Sequence, residues 1–302
     1  MRETLSPKLE TPSWKSQTLS SKIQTDSNAL EFLKNAGDFL YKNEALNSPL
    51  IGVCGNIISN FENHQLSPVF LRVVKNQEVV TAAILVHSKN LLITSAAEEE
   101  LRVMADYLNG KNLKLPGIWG PLKESETFSG LWEKQTGKKS KLGMNQKIFK
   151  IEKVSIPNNV LGFLRNAKSN DLELISNWFN EFSQEAMLPY ERKPLEKIRE
   201  HAENLIKNGH YFVWENDGSP VAMAYTGRPT LNSLGISAVY SPVEHRNKGY
   251  ASALVSSLSQ KIIDSGKKFC VLFSNAENLT SNRIYQRMGY VEVSLVKHFI
   301  FD

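Results

Sequence analysis

The residues best suited to chemistry in this chain form a short loop: Arg246, Asn247, Lys248, Gly249, Tyr250 and Ala251. Before it, a β-branched run over residues 236–240 passes through Val239, Tyr240 and Ser241 and stops at Pro242. After it, residues 252–258 favour a helix. The order predicts a strand, a bare loop and a helix N-terminus. Such a junction suits a pyrophosphate, because unpaired backbone N–H groups and the positive end of the helix dipole both face the anion. Gly249 and Ala251 keep the loop small enough for a phosphate to reach the backbone, and Arg246 and Lys248 add charge. Neither a GxxxxGK[ST] nor a GxGxxG pattern is present. Taken alone, the loop also fits an ordinary strand-to-helix turn.

The downstream residues narrow the reading. Residues 268–274 are an apolar run with charge before it and polar residues after it, a buried strand by pattern. Asn278 or Thr280 suits an N-cap and Gly289 a C-cap. Asn278, Ser281 and Tyr285 recur at helical spacing and can share one face. Together these segments resemble the GNAT superfamily of acetyl-CoA-dependent N-acetyltransferases. That family shows a strand, an Arg/Gln-x-x-Gly-x-Gly/Ala loop, a helix, a strand, and then Asn-x-x-Ala-x-x-aliphatic-Tyr-x-x-x-Gly-aromatic. The chain matches at Arg246, Gly249, Ala251, Asn278, Ile284, Tyr285, Gly289 and Tyr290, with Ser281 where the family usually has alanine. The resemblance is sharp over residues 234–290 and extends from about residue 161 to the C-terminus.

The resemblance implies a site. Acetyl-CoA would lie between the strand ending at Tyr240 and the strand over residues 269–273. Backbone groups of Val239, Tyr240 and Ser241 would pair with the pantetheine arm, and an N–H near Val239 would polarise the thioester carbonyl. The loop N–H groups would hold the pyrophosphate, and Asn278 would hydrogen-bond the cofactor arm. Tyr285 would protonate the leaving thiolate after direct attack by a neutral amine. Taken apart from the motif, Tyr285 is equally an ordinary core aromatic on a helix face. The acceptor amine and the general base are not readable. Glu181, Glu185, Tyr190 and Glu191 fall where the family contacts acceptors, although isolated acidic residues usually sit on the surface. Two other readings share these residues: a non-catalytic acyl-CoA sensor, and a transferase of a longer acyl or an aminoacyl group.

Positioning this site requires an α+β fold. A strand over residues 164–167, helices over 169–185 and 195–207, a hairpin through Asn216-Asp217-Gly218, a strand over 234–240 and final strands over 289–301 predict a mainly antiparallel sheet with helices on its faces. The first half repeats the order: helices over 28–42, strands over 69–74, 79–87 and 91–95, a helix over 98–108, a strand over 117–120, a helix over 124–135 and a strand over 146–152. We expect tandem GNAT-like domains, a degenerate one at 28–155 and the catalytic one at 160–302, behind a weakly ordered segment at 1–27. The copies diverge at the loop. The first reads Ala96-Ala97-Glu98-Glu99-Glu100, three carboxylates that satisfy the helix dipole themselves and repel a pyrophosphate. Phe128 and Trp132 occupy the helix that would carry the tyrosine.

Composition bounds the rest. The chain has 302 residues, 41% of them hydrophobic, a length that favours two domains. Cys54 and Cys270 lie in apolar runs and read as core residues, neither disulfide nor metal ligands. No apolar leader or membrane-length run appears, so a cytoplasmic location is expected, with no membrane partner. The net charge of +5 is spread along the chain without a nucleic-acid-reading motif, so no nucleic-acid partner is expected. Oligomeric state is not readable.

Overall fold

The computed structural model describes residues 20–59, 68–86, 90–156 and 160–302. The first half runs β1 (Lys22–Asp26), α1 (Ala29–Lys42), α2 (Glu44–Ser59), β2 (Val69–Lys75), β3 (Glu78–Leu85), β4 (Leu91–Ile93), α3 (Glu98–Gly110), β5 (Gly117–Pro121), α4 (Leu122–Thr136) and β6 (Ser140–Ile151). The second runs β7 (Phe163–Asn166), α5 (Leu172–Ala186), α6 (Leu195–Lys207), β8 (Tyr211–Asn216), β9 (Ser219–Gly227), β10 (Ser233–Tyr240), α7 (Tyr250–Asp264), β11 (Phe269–Asn275), α8 (Leu279–Arg287) and β12 (Val291–Phe301). The element order is the same in both halves, as the sequence patterns predict. One difference lies in the segment expected to be weakly ordered. Its residues 22–26 form β1, which pairs with β2, and Asp26 holds Arg72 through two hydrogen bonds of 2.7 and 2.8 Å. Residues 1–19 lie outside the described residues.

Local chemistry explains the elements. Asn28 caps α1 by accepting from the Glu31 N–H, and Glu31 accepts in return from the Ser27 N–H. Phe32, Ala36 and Leu40, at helical spacing, then bury one face of α1. The β2–β3 and β8–β9 hairpins turn through Asn76-Gln77 and Asp217-Gly218, all four at positive φ, the handedness that matches strand twist in a two-residue turn.

The sheet decides the architecture. Among the described residues its twelve strands run in the order β1-β2-β3-β4-β5-β12-β6-β11-β10-β9-β8-β7. Pairing is antiparallel except for β4 with β5 and β10 with β11, which are parallel. Each half has given its last strand to the other: β6 lies against β11, and β12 against β5. The two exchanged strands pair antiparallel at the centre, from Val291 opposite Lys150 to Phe301 opposite Ser140. The two sets of strands therefore form one continuous sheet instead of two closed ones. Helices α7 and α8 cover one face of the second half around Leu254, Leu258, Leu272 and Tyr285, and α5 covers the other around Trp178, Tyr211 and Met223. The first half has its own two cores, under α3 and α4 and under α1 and α2. Phe149 and Ile151 of β6 are fully buried in the second half's core, and Phe301 of β12 in the first half's. No helix among the described residues is long and apolar enough to cross a membrane.

Candidate active site

The site begins where two parallel strands part. β10 pairs with β11 only from Ser233 opposite Phe269 to Ile236 opposite Leu272, after which β10 continues to Tyr240 without β11. The β9–β10 register also shifts between Ser237 and Tyr240, where Ala238 takes a φ of +50°. A bulge at the end of a strand frees backbone groups and re-aims side chains. Into the gap opens a cleft of about 470 Å³, lined by Val239, Tyr240 and Ser241 on one side and by Asn275 and α8 on the other.

The N-terminus of α7 forms one end of this cleft. Arg246, Asn247, Gly249, Tyr250 and Ala251 line it. The first-turn N–H groups of a helix have no intrahelical acceptor. Gly249, at the cap position, supplies no side-chain acceptor, and the first turn contains no acidic residue. Gly249 sits at φ +81°, and a Cβ there would come within 3.1 Å of Val160 Cγ2. Glycine suits this left-handed position, and a side chain there would press on Val160.

Every expected donor-site residue except Lys248 lines the cleft, and several are held by contacts from other elements. The Arg246 guanidinium does not point its charge at the loop. Its Nη2 donates to both Glu185 carboxylate oxygens at 2.7 and 2.9 Å, its Nε donates to the Ser241 carbonyl at 2.9 Å, and it stacks over the Tyr240 ring at 5.4 Å. Anion attraction at this end then falls to backbone N–H groups. Lys248, although in the loop, is not among the residues that line the cleft. Asn278 caps α8, its Oδ1 accepting from the Ser281 N–H at 3.0 Å. Only its amide nitrogen is left for a ligand. Glu181, read from sequence as a surface group, accepts from the Tyr240 hydroxyl at 2.9 Å, and burial followed by this bond pushes Tyr240 up to about 12.

Tyr285 sits on the α8 face that meets the cleft. Its ring packs against Phe149 and Tyr290, each with centroids 5.9 Å away, and only 9% of its surface is exposed. The Tyr290 hydroxyl shares a hydrogen bond of 2.7 Å with Ser259 Oγ. The Tyr285 hydroxyl has no protein partner among the described hydrogen bonds, and burial pushes it up to about 12. The ring is part of the core, and the residue also lines the cleft. Ser241 lines the cleft, although its Oγ is buried and without a partner among the described residues. Bare N–H groups at one end and the Tyr285 residue on the wall fit an elongated, phosphate-bearing ligand.

A second cavity, of about 250 Å³, lies across the sheet from α7 and α8 and was not foreseen. Pro49, Leu92, Trp119, Met144, Leu188 and Phe273 give it apolar walls, and Asn90, Gln146, Glu191, Arg228 and His298 its polar groups. Two of the residues singled out from sequence belong here. Glu191 is half-buried at the wall, and burial raises its carboxyl. The Tyr190 hydroxyl lies 3.0 Å from the ring nitrogens of His298. Nothing in the sequence marks Arg228 or His298, because neither belongs to a motif and the strand exchange brings them together.

The comparisons agree with this geometry. The model of the FR47-like protein family matches residues 218–299. No curated protein matches the chain. A GNAT-family acetyltransferase from Colwellia psychrerythraea is similar at 12% identity, with 93% of this chain and 100% of that one covered and a TM-score of 0.56. A GCN5-related N-acetyltransferase from Sphaerobacter thermophilus is similar at 13% identity, with 92% and 94% covered and a TM-score of 0.58. A tandem GNAT protein from the clavulanic acid biosynthesis pathway is similar at 11% identity, with 94% and 98% covered and a TM-score of 0.55. The likeness to GNAT proteins read from the two motifs holds across the whole fold: the chain has the tandem GNAT fold, with an FR47-like segment in its second half.

Proposed function

We propose that the chain is an acyl-CoA-dependent N-acyltransferase, using acetyl-CoA, with one working donor site per molecule. The observation that carries this is the cleft at the parting of β10 and β11, which joins the bare N-terminus of α7 to the unpartnered hydroxyl of Tyr285. The N–H groups of residues 247–251 hold the pyrophosphate. Backbone groups of Val239, Tyr240 and Ser241, unpaired with β11, take the pantetheine arm as an added strand. A Val239 N–H aimed at the thioester carbonyl stabilises the oxyanion. The amide nitrogen of Asn278 is free to donate to the arm while its oxygen caps α8.

The chemistry is a direct transfer. The neutral amine forms the new C–N bond as the C–S bond breaks, the amine proton leaves to a base or to water, and Tyr285 gives its proton to the departing sulfur. A phenol held near 12 stays protonated at neutral pH, so it is available as an acid and not as a base. The cysteines play no part: burial pushes both up to about 12, and both are fully buried. The first half is a degenerate copy whose role is to complete the sheet and wall the acceptor side.

Isothermal titration with acetyl-CoA and a CoA-release assay over an amine panel test this reading. One equivalent of acetyl-CoA should bind, and Tyr285→Phe should keep that affinity while kcat falls by roughly 100-fold or more, the range for a lost general acid. Absence of acetyl-CoA binding would end the reading. Binding without CoA release from any amine would leave a sensor in place of an enzyme.

A further inference from the structure

The cavity across the sheet from the donor cleft holds two opposite charges that do not meet. Arg228 leaves the end of β9 at φ +49°, a strained conformation for a non-glycine residue. Its Nη2 donates to Ser237 Oγ at 2.9 Å, and its guanidinium lies over the Phe273 ring at 4.6 Å. No carboxylate pairs with it among the described residues, and burial presses its ionisation downward. Glu191, on another wall, accepts only from the Leu188 N–H, at 3.3 Å. His298 is 3% exposed, and burial pushes it down to about 4, so it is neutral at pH 7. A cation recessed without a counter-ion is costly, and proteins ordinarily pair such a group. Here the polypeptide leaves the pairing open and turns it toward a cavity.

The cavity adjoins the donor cleft on three elements. Ser237, which holds Arg228, is two residues before Val239 on β10. Phe273 is two residues before Asn275 on β11. Leu188 of the cavity follows Ala186 of the cleft by two residues. A molecule seated in the cavity therefore lies at the same strand parting as the reacting end of the cleft. At about 250 Å³ the space is below the range of drug-sized pockets and suits an amino-acid-sized ligand.

Resting on the acyltransferase reading, we infer that the acceptor is a small amine that also carries a carboxylate, of the α-amino-acid class, with Arg228 binding the carboxylate. Arg is suited to this by its planar fork of donors. Glu191 faces the ammonium end, where a carboxyl raised by burial takes up the proton that the amine must lose before it attacks. Trp119, Met144 and Phe273 supply apolar surface for a side chain. The first half of the chain sets the position of Arg228. Glu44, at the start of α2, accepts from the Asn232 N–H and Nδ2 at 2.7 Å each and from the Thr230 hydroxyl, pinning the segment that follows Arg228. Gly52 of α2 lies against the arginine so closely that a Cβ there would stand 2.9 Å from Arg228 Cβ. Gly52 is thus a positioning residue.

The test uses the full chain, acetyl-CoA, and α-amino acids each paired with its carboxamide and its decarboxylated amine, for example phenylalanine, phenylalaninamide and phenethylamine. The free acid should exceed the amide in kcat/KM by about 10- to 100-fold, the value of a charge-assisted pair. Arg228→Gln should erase that ratio by raising KM for the acid alone, with acetyl-CoA affinity unchanged by titration. Arg228→Lys should restore part of it. Gly52→Ala should raise KM for the acid and leave the amide untouched, a split that general loss of stability would not produce. A wild-type protein that prefers the amide or the bare amine, or an acid-to-amide ratio that survives Arg228→Gln, overturns the inference while leaving the acyltransferase reading intact. Failure of acetyl-CoA to bind the wild-type chain ends both.

Discussion

The two halves of the chain pass through the same ten elements and arrive at opposite chemistry where the fourth strand meets the third helix. In the second half, β10 leads through a loop without acidic residues in the first helical turn to α7, and a cleft opens there. In the first half, β4 leads to α3, whose first turn is Glu98, Glu99 and Glu100. Two of these carboxylates are engaged in the protein's own contacts, Glu98 with Arg102 at 2.8 Å and Glu99 with Lys75 at 2.9 Å, whereas Glu100 is buried with its Oε2 unpartnered among the described residues. The next helix differs in the same sense. Tyr285 on α8 keeps an unpartnered hydroxyl, whereas Phe128 and Trp132 on α4 stack at 6.0 Å and close the core. One fold has thus been used twice, once with its helix terminus open to an anion and once with it self-satisfied. Negative charge at a helix start is favourable for the helix and unfavourable for an incoming anion.

The halves nevertheless depend on each other, and separating them should have the largest effect. A chain of residues 160–302 lacks β6, and with it Phe149, Ile151 and the antiparallel partner of β11. Burying each such side chain is worth roughly 1.5–3 kcal/mol, against a net stability of about 5–15 kcal/mol for a domain. That fragment should show no cooperative melt by circular dichroism. A sharp melt matching the full chain would mean that the exchange is dispensable. Next in size, Gly249→Glu should reduce acetyl-CoA affinity by about 100-fold or more by titration, because it combines left-handed strain, contact with Val160 and a carboxylate at the anion site. Unchanged affinity would remove α7 from the donor site.

A smaller effect should come from His298, at the centre of the sheet. Its folded value, about 4, lies below the ordinary 6.5. The unfolded chain therefore takes up a proton that the folded one refuses, and stability is lost as pH falls from about 6.5 to 4. The loss is at most about 3 kcal/mol. Urea titrations across that window should show it, and His298→Gln should flatten the slope. A slope unaltered by the substitution would assign it to other groups. Smallest of all, Glu98→Gln with Glu99→Gln should leave acetyl-CoA stoichiometry at one, because removing charge does not supply a glycine loop or a tyrosine. A second equivalent bound would show that charge alone separates the halves.

Legibility in the sequence followed contiguity. The loop over 246–251 and the face of α8 carrying Asn278 and Tyr285 could be read because a phosphate cradle is built from neighbouring residues, and helical spacing reports which side chains share a face. The acidic counterpart in the first half could be read for the same reason. The use of Arg246 could not, since Glu185 reaches it from a different element. The cavity around Arg228 could not either: its lining comes from α2, five strands, the turn after β9 and the segment after α5, brought together by tertiary contacts.

By itself the amino-acid sequence determined most of the element order, its repetition from the hairpin onward, and which of the two strand-to-helix junctions carries acidic residues in the first helical turn. These follow from periodicity, capping and charge within short stretches. Tertiary structure decided which strand completes which half. The alternation of β6 and β12 specifies a face but not a neighbour, and β5 and β11 each present an edge that either strand can satisfy. Exchange of the two strands makes a single sheet. It sets Phe149 of the first half behind Tyr285 of the second, and it brings His298 of the second half to the cavity beside Trp119 and Met144 of the first.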